Sequence, residues 1–172
     1  MKIKEELANN SSILIYAPDA GYKELIIDVA KKLSSHNICY ITTNKTYSAL
    51  IEIFKKSGVN LNNIIFIDTI SKSIKKDPEE SDHVYYINST AAMTELSIVL
   101  NKFLTHKFDY LIFDSLSNLL IYQNKHLVIK FVSSIINKIK ESNTKAVFYV
   151  MKIQEHESFI KECGMFVDKV IE

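Results

Sequence analysis

Arginine is absent from this 172-residue chain: all 21 basic residues are lysine, against 20 acidic ones, for a formal net charge of +1. That absence removes the planar donor best suited to bidentate recognition of phosphate or guanine. Neither the chain nor an identical neighbour can then supply an arginine finger. With no basic excess to release counterions, nucleic-acid binding is disfavoured as a main activity. Glycine and proline are scarce, at three and two, few for an enzyme built on phosphate-binding loops. The two cysteines, Cys39 and Cys163, fit neither a metal spacing nor a disulfide framework. Apolar runs such as Leu111 to Phe113 and Val147 to Val150 are far too short for a bilayer. No apolar segment follows the N-terminal lysines as in a signal peptide. The expectation is a soluble cytoplasmic protein with no membrane partner.

What is present is globular. Hydrophobic residues make up 47% and charged residues 24%, and a chain of this length buries roughly 70% of its unfolded surface without disulfides or metals. Short apolar runs alternate with amphipathic segments. Strands are predicted at Ile13 to Tyr16, Ile38 to Thr42, Ile64 to Asp68, Tyr110 to Asp114 and Ala146 to Met151, with a last edge strand at Val167 to Ile171. Helices are predicted over Lys23 to Ser34, Thr46 to Lys56, Thr90 to Thr105 (capped by Asn88 or Ser89), Leu116 to Tyr122, His126 to Glu141 and Glu155 to Cys163. Gly58, after Lys55 and Lys56, reads as a left-handed cap. The polar stretch Ser71 to His83 reads as a surface loop. Strands apolar throughout, separated by amphipathic helices, predict a mainly parallel sheet in a three-layer α/β/α sandwich, one domain over residues 1–172. A ligand of such a sheet sits beyond the C-terminal ends of its strands.

Two segments carry the chemistry. Phe108-Asp109-Tyr110-Leu111-Ile112-Phe113-Asp114-Ser115 is an apolar strand ending in Asp, the form of a Walker B element whose carboxylate sits near a nucleotide's magnesium. The competing reading is an Asp that caps the next helix. Ile13 to Leu25 occupies the first strand-to-helix junction, where helix amides can hold an anion. A phosphate loop there needs G-x-x-x-x-G-K-[ST]. With Gly21 as the second glycine, Tyr22 stands for the lysine and Lys23 for the hydroxyl; with Lys23 as the lysine, Ala17 and Tyr22 stand for the glycines and Glu24 for the hydroxyl. Both alignments fail, and Asp19 and Glu24 add negative charge where a triphosphate would lie. The five histidines are scattered singly, with no metal-ligand spacing, and read as surface residues. No nucleophile-elbow glycines flank Ser115 or Ser117.

Together these segments resemble the KaiC/RadA-like branch of the RecA superfamily, especially its small, single-domain, mostly archaeal members. Ile13 to Leu25 takes the Walker A place, Thr94-Glu95-Leu96-Ser97-Ile98 looks like the family's T-E-L-S-I segment, and Asp114-Ser115-Leu116-Ser117-Asn118-Leu119-Leu120-Ile121-Tyr122 looks like its D-S-L-S-x-L-L-x-Y continuation. Phe166 to Glu172 fits the closing strand. The resemblance implies a RecA-like P-loop NTPase fold. It also implies acidic residues after the second strand, where this chain reads Ile41-Thr42-Thr43-Asn44, and a basic finger from a neighbour, for which only a lysine such as Lys152 is at hand. The missing P-loop lysine, hydroxyl and general base argue against ATP hydrolysis.

The expected function is therefore a non-catalytic module of this fold, a pseudo-ATPase with no catalytic residues and no required cofactor. It would act through a protein partner or by self-assembly. The alternative is an ATP-binding protein with slow turnover. If a nucleotide binds, Pro18, Gly21, Lys23, Asp114 and Ser115 are the residues to hold it, with Asp114 on the magnesium. A receiver-like phospho-acceptor ranks third, since only Asp19 follows the first strand and Asp114 comes late.

Overall fold

The computed structural model describes all of residues 1–172. Seven strands form one parallel sheet: β1 (Ser12–Ala17), β2 (Ile38–Thr42), β3 (Ile64–Asp68), β4 (Val84–Tyr86), β5 (Tyr110–Asp114), β6 (Lys145–Met151) and β7 (Lys169–Ile171). Their spatial order is β4-β3-β2-β5-β6-β1-β7, with every pairing parallel. The helices are α1 (Ile3–Asn9), α2 (Tyr22–Leu33), α3 (Tyr47–Lys56), α4 (Ser71–Ile74), α5 (Met93–Phe103), α6 (Leu116–Tyr122), α7 (Lys125–Lys140) and α8 (Glu157–Cys163). A receiver-like sheet, with five strands in the order 2-1-3-4-5, is not this one.

Strand side chains alternate between two cores, as a period of two requires. Leu14, Cys39, Ile41, Leu111, Phe113, Phe148 and Val150 face one cluster, completed by Leu96, Leu119, Val132 and Phe159 from α5 to α8. Ile13, Ile15, Tyr40, Ile112, Val147 and Tyr149 face the other, with Leu7, Ile26, Val29, Leu50 and Phe54 from α1 to α3. Each such side chain contributes roughly 1.5–3 kcal/mol on full burial, which is why both faces of the strands are apolar and both must be covered.

Local signals set the helix ends. Thr46 accepts from Ala49 N at 3.3 Å and Asn124 from Leu127 N at 3.0 Å, capping α3 and α7. Gly58, at φ +72°, follows α3 in the left-handed region that glycine enters without penalty. The end of α5 differs from expectation. It begins at Met93, with Ala92 at the N-cap and no side-chain cap. The Thr90 hydroxyl turns inward to Thr69 at 2.9 Å, and Ala92 N bonds Ser89 O at 3.0 Å, so Asn88 and Ser89 belong to a preceding turn. Helix α1 was not foreshadowed, because seven residues carry only Ile3 and Leu7 as buried positions.

Candidate functional site

Chain reversal in the sheet leaves two places where neighbouring strands send their following helices to opposite faces: β2 beside β5, and β1 beside β6. Such crevices are where open α/β sheets receive ligands. Asp114 ends β5 on the α2 face, and its carboxylate is fully buried. Tyr22, the first residue of α2, donates its hydroxyl to Asp114 Oδ1. The Tyr40 hydroxyl, from β2, donates to Oδ2 at 2.7 Å, and Asn44 Nδ2 approaches Oδ1 at 3.4 Å. Asp114 does not cap α6, since Ser115 holds the N-cap position. The carboxylate is thus neither a helix cap nor open to solvent; it is the hub of a tyrosine cluster.

A third tyrosine completes the cluster. Tyr149 of β6 packs edge-to-face on Tyr22 with centroids 5.9 Å apart, and its fully buried hydroxyl has no hydrogen-bond partner. Burial, and then the Asp114 charge, raise all three phenols far above the usual tyrosine range. Burial raises Asp114 above the ordinary carboxylate range, opposed by hydrogen bonds from Tyr22, Tyr40 and Asn44 and by the Lys45 charge. The phenols therefore stay protonated and donate.

The loop after β1 is short. Ala17 still pairs with Met151, Lys152 N donates to Ala17 O at 2.7 Å, and only Pro18 to Gly21 separate strand from helix. Gly21, at φ +88°, is the N-cap of α2, so Tyr22 is the first residue of the helix. Pro18, Gly21 and Lys23 are exposed, whereas Asp114 and Ser115 are buried. The structure thus places the five candidate residues on two levels, with Tyr22 between them. The crevice between β2 and β5 is stitched as well. Thr43 Oγ1 accepts from Ser115 N at 2.9 Å and donates to Ser115 O at 2.7 Å, and Asn118 Nδ2 bonds Thr43 O at 2.5 Å. The Asp114–Ser115 peptide is cis. Lys152 lies over the Tyr16 ring at 5.4 Å and pairs with Glu172 at 3.5 Å. No group of three His, Cys, Asp or Glu side chains is close enough to hold a metal ion.

One histidine departs from the surface reading. His156 is buried, with Nδ1 3.0 Å from Met151 O and 3.4 Å from Ser117 Oγ, while Ser117 Oγ accepts from Met151 N at 2.8 Å. The imidazole fastens the end of β6 to the start of α6, a role that sequence spacing does not reveal.

Sequence reasoning also passed over Asp68. Buried at the end of β3, it accepts from Tyr47 N at 2.6 Å, Ile70 N at 2.7 Å, Ser71 N at 2.8 Å and Ser71 Oγ at 2.5 Å. It joins the starts of α3 and α4 below a cavity of about 470 Å³. The one available signal was its position at a strand end, shared with Asp114.

The all-parallel sheet with β6 inserted between β1 and β5, covered by helices on both faces, is the fold also found in a KaiC-like protein of known structure. The crystal structure of a KaiC-like protein from the hyperthermophilic archaeon Pyrococcus horikoshii superposes with a TM-score of 0.65 at 8% identity, over 93% of this chain and 69% of that one. At that identity the likeness establishes the fold alone. No family model and no curated protein matches the sequence. No helix is long and apolar enough to cross a membrane.

Proposed function

We propose that the chain is a non-catalytic KaiC/RecA-like module, a pseudo-ATPase that works by binding a protein partner or by assembling with itself. The observation that supports this reading is the filled carboxylate site. Magnesium at Asp114 would need carboxylate oxygens facing a nucleotide, and those oxygens instead accept the Tyr22 and Tyr40 hydroxyls in a buried site. Tyr22 is neutral where the phosphates would meet an ammonium. The place after β2 also supplies no carboxylate: Thr42 and Thr43 spend their hydroxyls on Lys45 O and Ser115 O at 2.7 Å each, and Asn44 on Asp114.

A second reading, nucleotide binding without turnover, draws on the exposed Lys23 beside the α2 N-terminus, where Glu24 adds the opposing charge. Calorimetric titration of ATP and ADP, with and without magnesium, separates the two. No heat of binding is expected at millimolar nucleotide. Magnesium-dependent micromolar binding would overturn the proposal, and weak, magnesium-independent binding would favour the second reading.

A further inference from the structure

We propose that the cavity beyond β2, β3 and β4 is a binding site for a small organic cation, an ammonium group carried on an apolar or aromatic body. At about 470 Å³ the cavity falls in the range of small-molecule sites. Tyr47 and Ile51 of α3, Ile74 of α4, Pro78 and Tyr86 wall it. Its floor is fixed by Asp68, whose four hydrogen bonds hold the first residues of α3 and α4. Its rim is strapped where Tyr86 Oη donates to Glu79 O at 2.8 Å, which holds residues 78–81 along its edge.

Charge selects the ligand. Glu79 and Glu80 line the cavity with Lys75 as its one cation, and the Asp68 carboxylate lies just behind, on Tyr47 and Ser71. None of these four groups belongs to any ion pair of the chain; Lys72 and Lys76 line the adjoining cavity that shares Glu80, and within the cavity itself carboxylates outnumber the one lysine. Amides that could have met a phosphate are already spent: Tyr47 N, Ile70 N and Ser71 N all donate to Asp68. An anion would face like charge with few free donors. A cation would meet the carboxylates and the electron-rich rings of two tyrosines. This site is separate from the Asp114 cluster, and its occupancy does not depend on whether a nucleotide binds there.

The test uses the full ¹⁵N-labelled chain and three probes of one shape: benzylammonium, benzyl alcohol and benzoate. Amide shifts are expected at Thr46, Ser48, Lys75 and Tyr86, with benzylammonium bound about 10-fold more tightly than benzyl alcohol and benzoate weakest. Replacing Glu79→Gln together with Glu80→Gln, both exposed positions, leaves the Glu79 carbonyl strap in place and is expected to cut the preference for the cation about 3-fold. An otherwise unchanged ¹⁵N spectrum verifies the fold of that variant. Equal binding of benzoate, an undiminished preference in the double variant, shifts confined to other surfaces, or no shift at about 10 mM benzylammonium, a concentration that would register even millimolar affinity, would each overturn the proposal.

Discussion

Asp114 shows what a single side chain becomes when its neighbours are drawn from distant sequence. Its place at the end of an apolar strand was legible, and so was the loss of the lysine that should accompany it. Its partners were not, because Tyr22 and Tyr40 lie 92 and 74 residues away and nothing local marks a tyrosine as a donor to a particular carboxylate. Their arrangement makes a pH prediction. Burial raises the folded-state pKa of Asp114, so its contribution to stability is fully present below the unfolded carboxylate value and is lost as pH rises through the folded value. Asp114→Asn cannot titrate. Its stability relative to the natural chain is therefore expected to grow as urea unfolding is repeated from acid to neutral pH. A difference that shrinks with rising pH would mean the tyrosine hydroxyls outweigh burial and the site favours the carboxylate.

Elements were easier to read than side-chain partners. β2, β3 and β5 span the residues expected of them, α3 and α7 start within a residue of expectation, and the helix at Leu116 to Tyr122 is present as drawn. Periodicity succeeds there because each segment buries a full stripe or a full strand. It fails for α1, whose two buried residues make too weak a pattern, and for the start of α5, where Thr90 is claimed by Thr69 across the sheet end. The polar stretch after β3 was read as loop throughout, yet Ser71–Ile74 forms one helical turn because Asp68 accepts from Ile70 N and Ser71 N. The same carboxylate also accepts from α3, so its loss is felt in two elements. Asp68→Ala leaves three buried or half-buried amides without their acceptor and is expected to cost about 3 kcal/mol. Hydrogen exchange should quicken at Tyr47, Ile70 and Ser71 while the β1–β6 centre of the sheet stays protected. Exchange that quickens evenly across the sheet would contradict the role of Asp68 as the local tie between α3 and α4.

For the whole molecule, the sheet order decides what can meet. Inserting β6 between β1 and β5 places the loop after β1 opposite the end of β5 across one intervening strand, near enough for the long Tyr22 side chain to span. The proposed non-catalytic role requires something for the chain to act upon. Native mass spectrometry of the purified chain, with affinity capture from its source cells, is expected to find an assembly of copies or a stoichiometric partner. A strictly monomeric chain that captures nothing would remove the ground for the proposed role.

Composition and periodicity alone determined the α/β class, the parallel sheet, most element positions and the departure of residues 13–25 from the phosphate-loop sequence pattern. These follow from hydrophobic burial and from the residue types a phosphate site requires, both local properties of the chain. Only the tertiary structure decided that Asp114 is sealed by tyrosines, that His156 is an interior fastener, and that Asp68, two strands away along the same edge of the sheet, organises a cavity. The first two depend on contacts between strands and helices far apart in sequence, and Asp68 adds to its local bonds one from Tyr47, 21 residues away; such contacts exist only once the sheet order has brought their side chains together.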